Sequence, residues 1–576
     1  MGSTDSGVDD ITQKLPQWMT LDADSDTKTP VQTAITGKIP KWVSGNLYRN
    51  GSGVYQVGET KLDHFFDGFS VLHRFIIRDG EVKYQSRILD SDSWVNSVKA
   101  NRLVISQFAS YAYPDPCKSI FSKMMSYLLP LDADQMSDNT AVNIVEHGDK
   151  LYAMTETTRI NEVDRETLLK KSQTDLGKVI AVHMATAHPH FGSDGTMYNL
   201  GTSFNPASAY SIVAIPPKDP NAESEQHTFD KAQLMTTLRS RWNMHISYNH
   251  SFGMTENYFV ILDQPITLNV LKVVTTNWRR QGFASNFAKF PEEKAAPALT
   301  APALTAPALT APALTAPALT APALTAPALT PDPQFLVFQV VQRSDNQPLT
   351  VQFQTDPTFC FHFINCYEEE EHLVVDLCGY DDINIIDDLY LKNMLDKDYA
   401  QKVPPGTFRR YVLPINVTEG GPEDNLVMLP GTTATAYMTS PGIIHCTPDY
   451  ITDDKVLFEL PRINYEMCNG KKYRYAYGTS IAGEKKLAKV DLELRKVTYW
   501  SQTGYMPGEP IFVAKPGAKH EDDGVVLCAV LSELPDTPSF LLVLDGKTFK
   551  EMGRAMPPCD VKMALSFHGS YLPDKK

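Results

Sequence analysis

Four histidines have similar local sequences, each beside a short apolar or aromatic stretch close to a turn. They are His188, His250, His362 and His568. Imidazole nitrogens are common ligands of zinc, copper, iron and nickel. A single histidine among apolar residues is more often a buried structural residue than a ligand. Four in the same setting favour one shared metal, whose identity these residues alone leave open.

The spacing of these histidines is unlike that of a local structural zinc site, which uses closely spaced, cysteine-rich pairs. Spread over most of the chain, they suit ligands that converge from different parts of one closed ring. His568 lies near the end of the sequence, so the last strand must then reach the centre. Pro189 favours an extended backbone between His188 and His190, so the two imidazoles point to opposite sides and only one can face a shared metal. We expect His188 to be that one.

Three glutamates lie in apolar surroundings where a carboxylate needs a partner: Glu156, Glu459 and Glu509. Histidines that bind metals usually donate their second ring N–H to a carboxylate, which fixes the tautomer. These glutamates are therefore candidates for orienting the histidines. The alternative is that each ends a strand and faces water, and this alternative is strongest for Glu509, which precedes Pro510.

Short runs of alternating apolar residues, separated by Gly, Asp, Asn and Pro, begin at about Ile39. Asp79-Gly80 between two such runs is a strong signal for a β-hairpin. Many short strands with turns at roughly ten-residue spacing predict an all-β sandwich, barrel or propeller. Over 576 residues, a β-propeller avoids one enormous sheet and is the predicted fold.

Residues 296–330 consist of seven copies of Ala-Pro-Ala-Leu-Thr. Proline at every fifth position excludes a stable helix or a central strand, so we expect a low-complexity insertion. Such a stretch usually separates domains. Two candidate ligands precede it and two follow it, however, so residues 1–576 are predicted to form one domain, with a flexible N-terminus over residues 1–30.

The net charge of −15 argues against a nucleic-acid partner, because no basic surplus exists to neutralise phosphates. The eight cysteines include no C-x-x-C pair, which indicates reduced thiols and a cytoplasmic protein. The N-terminus lacks the features of a signal peptide. Met1-Gly2 with Ser6 matches the pattern for N-myristoylation, but so short a match also arises by chance.

Ten motifs together resemble those of the animal carotenoid cleavage oxygenases, a family that includes the carotene dioxygenases and the retinoid isomerohydrolase of the eye. The motifs are Phe66-Asp67-Gly68, Pro114-Asp115-Pro116-Cys117-Lys118, Thr155-Glu156-Thr157, Ala187-His188-Pro189-His190, His250-Ser251-Phe252-Gly253, Phe361-His362, Phe458-Glu459-Leu460-Pro461-Arg462-Ile463-Asn464-Tyr465, Glu509-Pro510-Ile511-Phe512-Val513, Glu521-Asp522-Asp523-Gly524-Val525-Val526 and Phe567-His568-Gly569. The likeness covers nearly everything after about Ile39 except the repeat.

This resemblance implies a seven-bladed propeller, with a helical and loop cap over the face that carries the metal. It implies Fe(2+) held by the four histidines, three of which are oriented by the three glutamates. It also implies a reaction that adds both atoms of O₂ across a double bond of a carotenoid. One departure is Phe363 after His362, where many animal members have a second histidine.

Within the family, cleavage at the central double bond of β-carotene to give retinal is the leading expectation. Eccentric cleavage to apocarotenals is the alternative, and a retinoid isomerohydrolase is a further one. From another class, a catalytically silent carotenoid-binding propeller is also compatible with the sequence.

A carotenoid dissolves in membranes, so peripheral membrane association is expected. Residues 117–131 and 266–290 each combine an apolar stripe with neighbouring cations, a pattern typical of an interfacial helix. The same stripe at helical spacing also fits a helix packed against the core.

Overall fold

The computed structural model describes residues 15–16, 19–114, 136–204, 208–217, 228–242, 244–289, 335–396, 398–404, 406–417, 420–452, 458–480 and 485–574. The segment 117–131, the repeat at 296–330 and the myristoylation pattern at Gly2 lie outside these residues.

Strands dominate the described residues. Strands β1 to β20 are, in chain order, Val31–Gln32, Ala34–Gly37, Gly45–Val54, Gln56–Val57, Thr60–Lys61, Phe69–Arg78, Glu81–Ile88, Asn143–His147, Lys150–Met154, Arg159–Val163, Lys170–Asp175, Met184–Ala185, His190–Phe191, Met197–Ser203, Ala209–Ile215, Gln233–Arg239, His245–Ser247, Gly253–Met254, Tyr258–Asp263 and Ile266–Asn269. Strands β21 to β39 are Phe287–Lys289, Leu336–Gln342, Gln352–Thr355, Phe359–Glu369, His372–Tyr380, Thr407–Pro414, Thr435–Ser440, Ile443–Thr447, Asp449–Tyr450, Glu459–Arg462, Tyr475–Thr479, Leu487–Asp491, Lys496–Trp500, Tyr505–Pro507, Ile511–Ala514, Gly524–Ser532, Phe540–Asp545, Glu551–Met556 and His568–Pro573.

Helices are few and short. Helices α1 to α7 are Asp92–Ala100, Val270–Val274, Thr276–Arg279, Asn384–Asp388, Leu391–Met394, Tyr399–Lys402 and Tyr465–Cys468. Turns of 3₁₀ helix cover Phe65–Asp67, Leu176–Lys178, Thr228–Lys231 and Phe283–Asn286. Among the described helices, none has the length and apolar character needed to cross a bilayer.

The described strands form nine sheets, of which seven contain four or more strands. Neighbouring strands in these seven run in the orders β1-β7-β6-β3-β39, β11-β10-β9-β8, β12-β14-β15-β16 with β13 beside β14, β18-β19-β22-β23-β28-β27, β2-β38-β37-β36-β34 with β35 beside β36, β24-β25-β26-β29, and β30-β31-β32-β33. The two smaller sheets are β17-β20-β21 and β4-β5. The fold is all-β, as the sequence predicts.

The two ends of the described chain meet in shared sheets. Strand β39 pairs antiparallel with β3, which places Asn50 opposite His568. Strand β38 pairs antiparallel with β2. These pairings close the arrangement of sheets and carry the C-terminal strand inward, as the position of His568 in the sequence requires.

The predicted hairpin at Asp79-Gly80 joins β6 to β7, and Arg78 pairs with Glu81 across it. Both turn residues have positive φ, 54° for Asp79 and 85° for Gly80. A two-residue turn of this type requires positive φ at both positions, which glycine adopts without strain and aspartate tolerates.

Leu15, Met19 and Leu21 are buried in the largest apolar cluster of the described residues, while the flexibility of residues 1–30 stays a prediction. One expectation needs correction. Segment 266–290 is not one interfacial helix: it runs from β20 through α2, α3 and a 3₁₀ turn into β21, because β20 pairs with both β17 and β21.

Candidate metal centre

The four candidate histidines come together in the fold. Nε2 of His188 lies 2.8 Å from Nε2 of His250, and Nε2 of His362 lies 3.3 Å from Nε2 of His568. One ring nitrogen from each histidine lies within 4.8 Å of those of the other three. Side chains far apart in sequence thus present their nitrogens to one point.

Each histidine is supplied by a different strand or loop. His188 lies between β12 and β13, and His250 lies between β17 and β18. His362 is inside β24, where the pairing with β25 is irregular between Cys360 and Phe363. His568 begins β39. Strand ends and an irregular register free these side chains from ordinary alternation and let them face a common centre.

Glu459 orients His362. Its Oε2 accepts a hydrogen bond from Nδ1 of His362 at 2.6 Å. The same oxygen accepts from the backbone N–H of Leu460 at 3.0 Å. Leu460 has φ of 47°, an unusual value for leucine, and such strain often accompanies a functional site.

Glu156 orients His250. Its Oε1 accepts from Nδ1 of His250, and the Tyr248 hydroxyl lies 2.7 Å and 2.8 Å from its two carboxylate oxygens. Tyr248 therefore holds the carboxylate of Glu156 in place, and that carboxylate holds the imidazole of His250. The sequence predicted the glutamate but not this tyrosine, although Tyr248 stands only two residues before His250.

Glu509 orients His568 and has the most hydrogen-bond donors of the three. Its Oε1 lies 2.8 Å from Nδ1 of His568 and 2.7 Å from Nε of Arg462. Its Oε2 accepts from Arg49 and from the backbone N–H of Gly569 at 3.0 Å. The alternative that Glu509 faces water is excluded, because its side chain is 1% exposed.

Charge stabilises this buried carboxylate. Burial by itself would raise the pKa of Glu509, but Arg462, His568 and Arg49 hold the pKa well below its usual value. The sequence did not single out Arg49, because β3 is rich in glycine and polar residues and its burial becomes evident only in the fold. Arg49 also donates to the backbone oxygen of Phe567 at 3.0 Å, which holds the start of the strand that carries His568.

Burial lowers the pKa of three of the four imidazoles and so favours their neutral form. Burial, with neighbouring histidines, holds the pKa of His188 well below its usual value. Burial lowers the pKa of His568 to about 3, against the opposing effect of Glu509. The pKa of His362 is lowered in the same way. Neutral imidazole is the form that binds metals.

The donor set fits a cation. His362 and His568 each donate Nδ1–H to a carboxylate, so in the neutral ring Nε2 carries a lone pair. Two such lone pairs face each other across 3.3 Å, an arrangement that a cation between them stabilises. Ligands about 2.1 Å from one ion are about 3 Å apart when adjacent, which matches the measured separations.

A cavity of about 790 Å³ opens onto the histidines. His250, His362 and His568 contribute to its wall, and residues of the 3₁₀ turns and of the loop 102–114 cover it. Much of the wall near the histidines is aromatic: the ring of Phe66 lies 5.8 Å from that of Phe567 and 6.1 Å from that of Phe361. The helical and loop cap predicted over this face is present.

Comparison with known proteins identifies the family. The family model described as retinal pigment epithelial membrane protein, RPE65, matches residues 21–303 and 318–573. The chain belongs to the RPE65 family. The gap between the matched ranges lies within the Ala-Pro-Ala-Leu-Thr repeat, and the resemblance found in the sequence is confirmed.

Relatives in the RPE65 family are similar over nearly the whole chain. The chain is 38% identical over 557 residues to mouse β,β-carotene 15,15'-dioxygenase, covering 95% of this chain and 89% of the relative. It is 35% identical over 561 residues to human mitochondrial carotenoid-cleaving dioxygenase, covering 94% and 88%.

Solved structures share the fold. Cobalt-substituted Synechocystis ACO superposes with a TM-score of 0.70 at 19% identity, over 98% of this chain and 99% of that chain. An ACO/RPE65 chimera gives the same values. The RPE65-family chain therefore has the propeller fold that the sequence predicts, while the count of seven blades stays a prediction.

Replacing Glu509 with glutamine tests the role of its charge. We expect Glu509→Gln to cost about 3–5 kcal/mol in the free energy of unfolding, because Arg49 is left buried without its carboxylate. Affinity for a divalent metal should fall by about 10–100-fold. Chemical denaturation and metal titration measure these two quantities.

The matched control is Glu166→Gln. Glu166 also pairs with a buried arginine, Arg74, but its side chain is 76% exposed. We expect Glu166→Gln to lower the free energy of unfolding by less than about 1 kcal/mol and to leave the metal affinity unchanged. Equal effects of the two substitutions on metal affinity would contradict the role assigned to Glu509.

Proposed function

We propose that this protein is a non-haem Fe(II) dioxygenase that cleaves a carotenoid at a polyene double bond. The observation that carries the proposal is the cluster of four histidines, three of them hydrogen-bonded to glutamates and three of them at the wall of a largely apolar cavity. The named activities of relatives at 35–38% identity over at least 94% of the chain support the same reaction.

Ferrous iron is the metal that best suits this site. Imidazole ligands suit iron, copper, zinc and nickel alike, so the donor set alone does not choose among them. The proposed reaction favours iron over zinc, because O₂ must receive electrons from the metal and zinc has no redox chemistry. Bound Fe(II) supplies this electron transfer to O₂.

The protein residues contribute orientation and shape. Glu156, Glu459 and Glu509 fix the tautomers of three histidines, which keeps their Nε2 lone pairs directed at the centre. The aromatic wall holds a hydrocarbon that has little to hydrogen-bond, so shape must position the reacting double bond. Each oxygen atom of O₂ ends in one of the two carbonyl products.

We assign cleavage to the central double bond of β-carotene, which yields retinal. The support is the slightly higher identity to carotene 15,15'-dioxygenases, 36–38%, than to the carotenoid-cleaving dioxygenases, 34–35%. Eccentric cleavage to an apocarotenal is the alternative. A silent carotenoid-binding propeller is disfavoured by the complete set of four histidines and three carboxylates.

Product analysis tests the reaction. Protein loaded anaerobically with Fe(II) and β-carotene, then exposed to O₂, is expected to form retinal, and His362→Ala is expected to abolish product. Chromatography with mass detection measures the aldehydes, and their chain length locates the cleaved bond.

His183→Ala is the control, since His183 lies outside the cluster and should leave product formation intact. Longer aldehydes from the wild type would favour eccentric cleavage. Complete retention of β-carotene by iron-loaded protein would contradict the enzyme and favour the silent binder.

We also propose peripheral association with a membrane surface through residues 266–290. Leu271 and Trp278 on helices α2 and α3 are 59% and 69% exposed, and Lys272 and Arg280 lie beside them in the sequence. Thr276 and Phe283 of the same segment line the cavity. An apolar surface beside the cavity wall suits direct uptake of a substrate from lipid.

Flotation with anionic liposomes tests this surface. The double variant Leu271→Asp with Trp278→Asp should float less than the wild type, because charge at the interface opposes insertion. The control is Met428→Asp with Leu494→Asp, which alters residues of similar exposure, 74% and 66%, and should float normally. Equal flotation of both double variants excludes this segment as the membrane contact.

We further propose that residues 1–576 form one cytoplasmic domain interrupted by the repeat. Supporting this, the family model continues on both sides of the repeat. The described cysteines are all free, and six of the seven are buried, which agrees with a reducing compartment.

Deletion of residues 296–330 tests the domain proposal. Ten residues, 290–295 and 331–334, remain to connect the described segments. We expect unchanged iron content by elemental analysis and unchanged thermal stability, because no candidate ligand is removed. Loss of iron with intact folding would indicate that the repeat contributes to the site.

A further inference from the structure

His190, the second histidine of the His188-Pro189-His190 sequence, does not join the four-histidine cluster. Its ring instead bridges two other segments. Nε2 lies 3.0 Å from the backbone oxygen of Phe252, and Nδ1 lies 3.0 Å from the hydroxyl of Tyr465. The same hydroxyl accepts a hydrogen bond from the backbone N–H of Phe191 at 3.2 Å.

These contacts define one consistent direction of hydrogen bonding. The backbone oxygen of Phe252 can only accept a hydrogen bond, so Nε2 of His190 carries the ring hydrogen and is the donor. Nδ1 of His190 is then unprotonated and accepts a hydrogen bond from the Tyr465 hydroxyl. The hydroxyl oxygen is left to accept from Phe191. Every donor in the chain of bonds meets an acceptor, and a fully satisfied side-chain network of this kind is rigid.

The bridge joins three segments that build the metal centre. His190 follows the ligand His188 by two residues, and Phe252 follows the ligand His250 by two residues. Tyr465 begins helix α7, directly after the segment that carries Glu459 and Arg462. A rigid link between these segments sets where the rings of His188 and His250 meet.

His188 needs such a link more than the other ligands do. Glutamates hold Nδ1 of His250, His362 and His568. Within the part of the chain that the structure describes, Nδ1 of His188 has no carboxylate partner. The orientation of its ring therefore depends on its backbone, and the backbone is anchored two residues later by His190.

We propose that His190 and Tyr465 are positioning residues that fix the backbone of His188 relative to that of His250, and so set the geometry and affinity of the metal centre. This inference rests on the proposed function, because it requires the four histidines to bind a metal.

Cobalt(II) is the probe, since its visible absorption reports ligand geometry and its binding is measurable without turnover. His190→Leu removes both hydrogen bonds and should lower cobalt affinity by about 10–100-fold, the range typical of residues that orient ligands. His190→Gln keeps one donor and one acceptor and should bind within about threefold of wild type. Tyr465→Phe removes one hydroxyl. Its cobalt affinity should lie between those of His190→Leu and His190→Gln, and its cobalt spectrum should change.

Tyr473→Phe is the matched control. It also removes a tyrosine hydroxyl, which donates to Asp376 of β25 at 2.7 Å, and Tyr473 lies outside the three segments that His190 and Tyr465 join. We expect thermal stability to change by a similar amount in Tyr465→Phe and Tyr473→Phe, with cobalt affinity and spectrum changed only in the former. If His190→Leu does not fold, Tyr465→Phe and His190→Gln decide the question.

The outcomes separate the two proposals. Wild-type protein that binds no cobalt contradicts the metal centre itself, and the inference with it. Wild-type protein that binds one cobalt, together with unchanged affinity and spectrum in Tyr465→Phe and in a folded His190→Leu, overturns the positioning role and leaves the metal centre intact.

Discussion

Glu509 is shielded from water; Arg49 and Arg462 balance its charge, and the imidazole of His568 donates a hydrogen bond to it. Isolated charges are costly to bury, so each member of this group depends on the others. The arginines do more than neutralise: Arg49 bonds the backbone oxygen of Phe567, and Arg462 bonds that of Gly569 at 2.9 Å. The residues on both sides of His568 are thereby fixed, and the direction of its imidazole is set.

The three carboxylates that hold histidines have unequal surroundings. Glu509 has two arginine partners, whereas Glu156 is held by a tyrosine hydroxyl and Glu459 by the backbone N–H of Leu460. The charge of Glu509 is therefore largely cancelled inside the protein. The charges of Glu156 and Glu459 act more directly on the histidines, and a cation at the centre is the natural partner for them.

Sequence reasoning predicted the parts of the site that depend on residue type. The four histidines and three glutamates stand out because polar side chains within apolar stretches of sequence need partners. The Asp79-Gly80 turn follows from backbone preference alone. Arg49 and Tyr248 were missed, because their roles depend on which strands become neighbours in space. Segment 266–290 was misjudged because helical spacing of apolar residues says nothing of the strands with which Ile266–Asn269 pairs. The count of seven blades, and the assignment of the repeat as an insertion within one domain, stay predictions.

The pairing of β3 with β39 has a consequence for how the protein is made. During synthesis on the ribosome the loop that bears His188 emerges well before β39, and Asn50 must wait for His568 before the first sheet is complete. Contacts between such distant parts of a chain form late and slowly. A nascent chain stalled before the last strand would lack His568 and the strand that completes the first sheet, so the four histidines meet only after β39 has emerged.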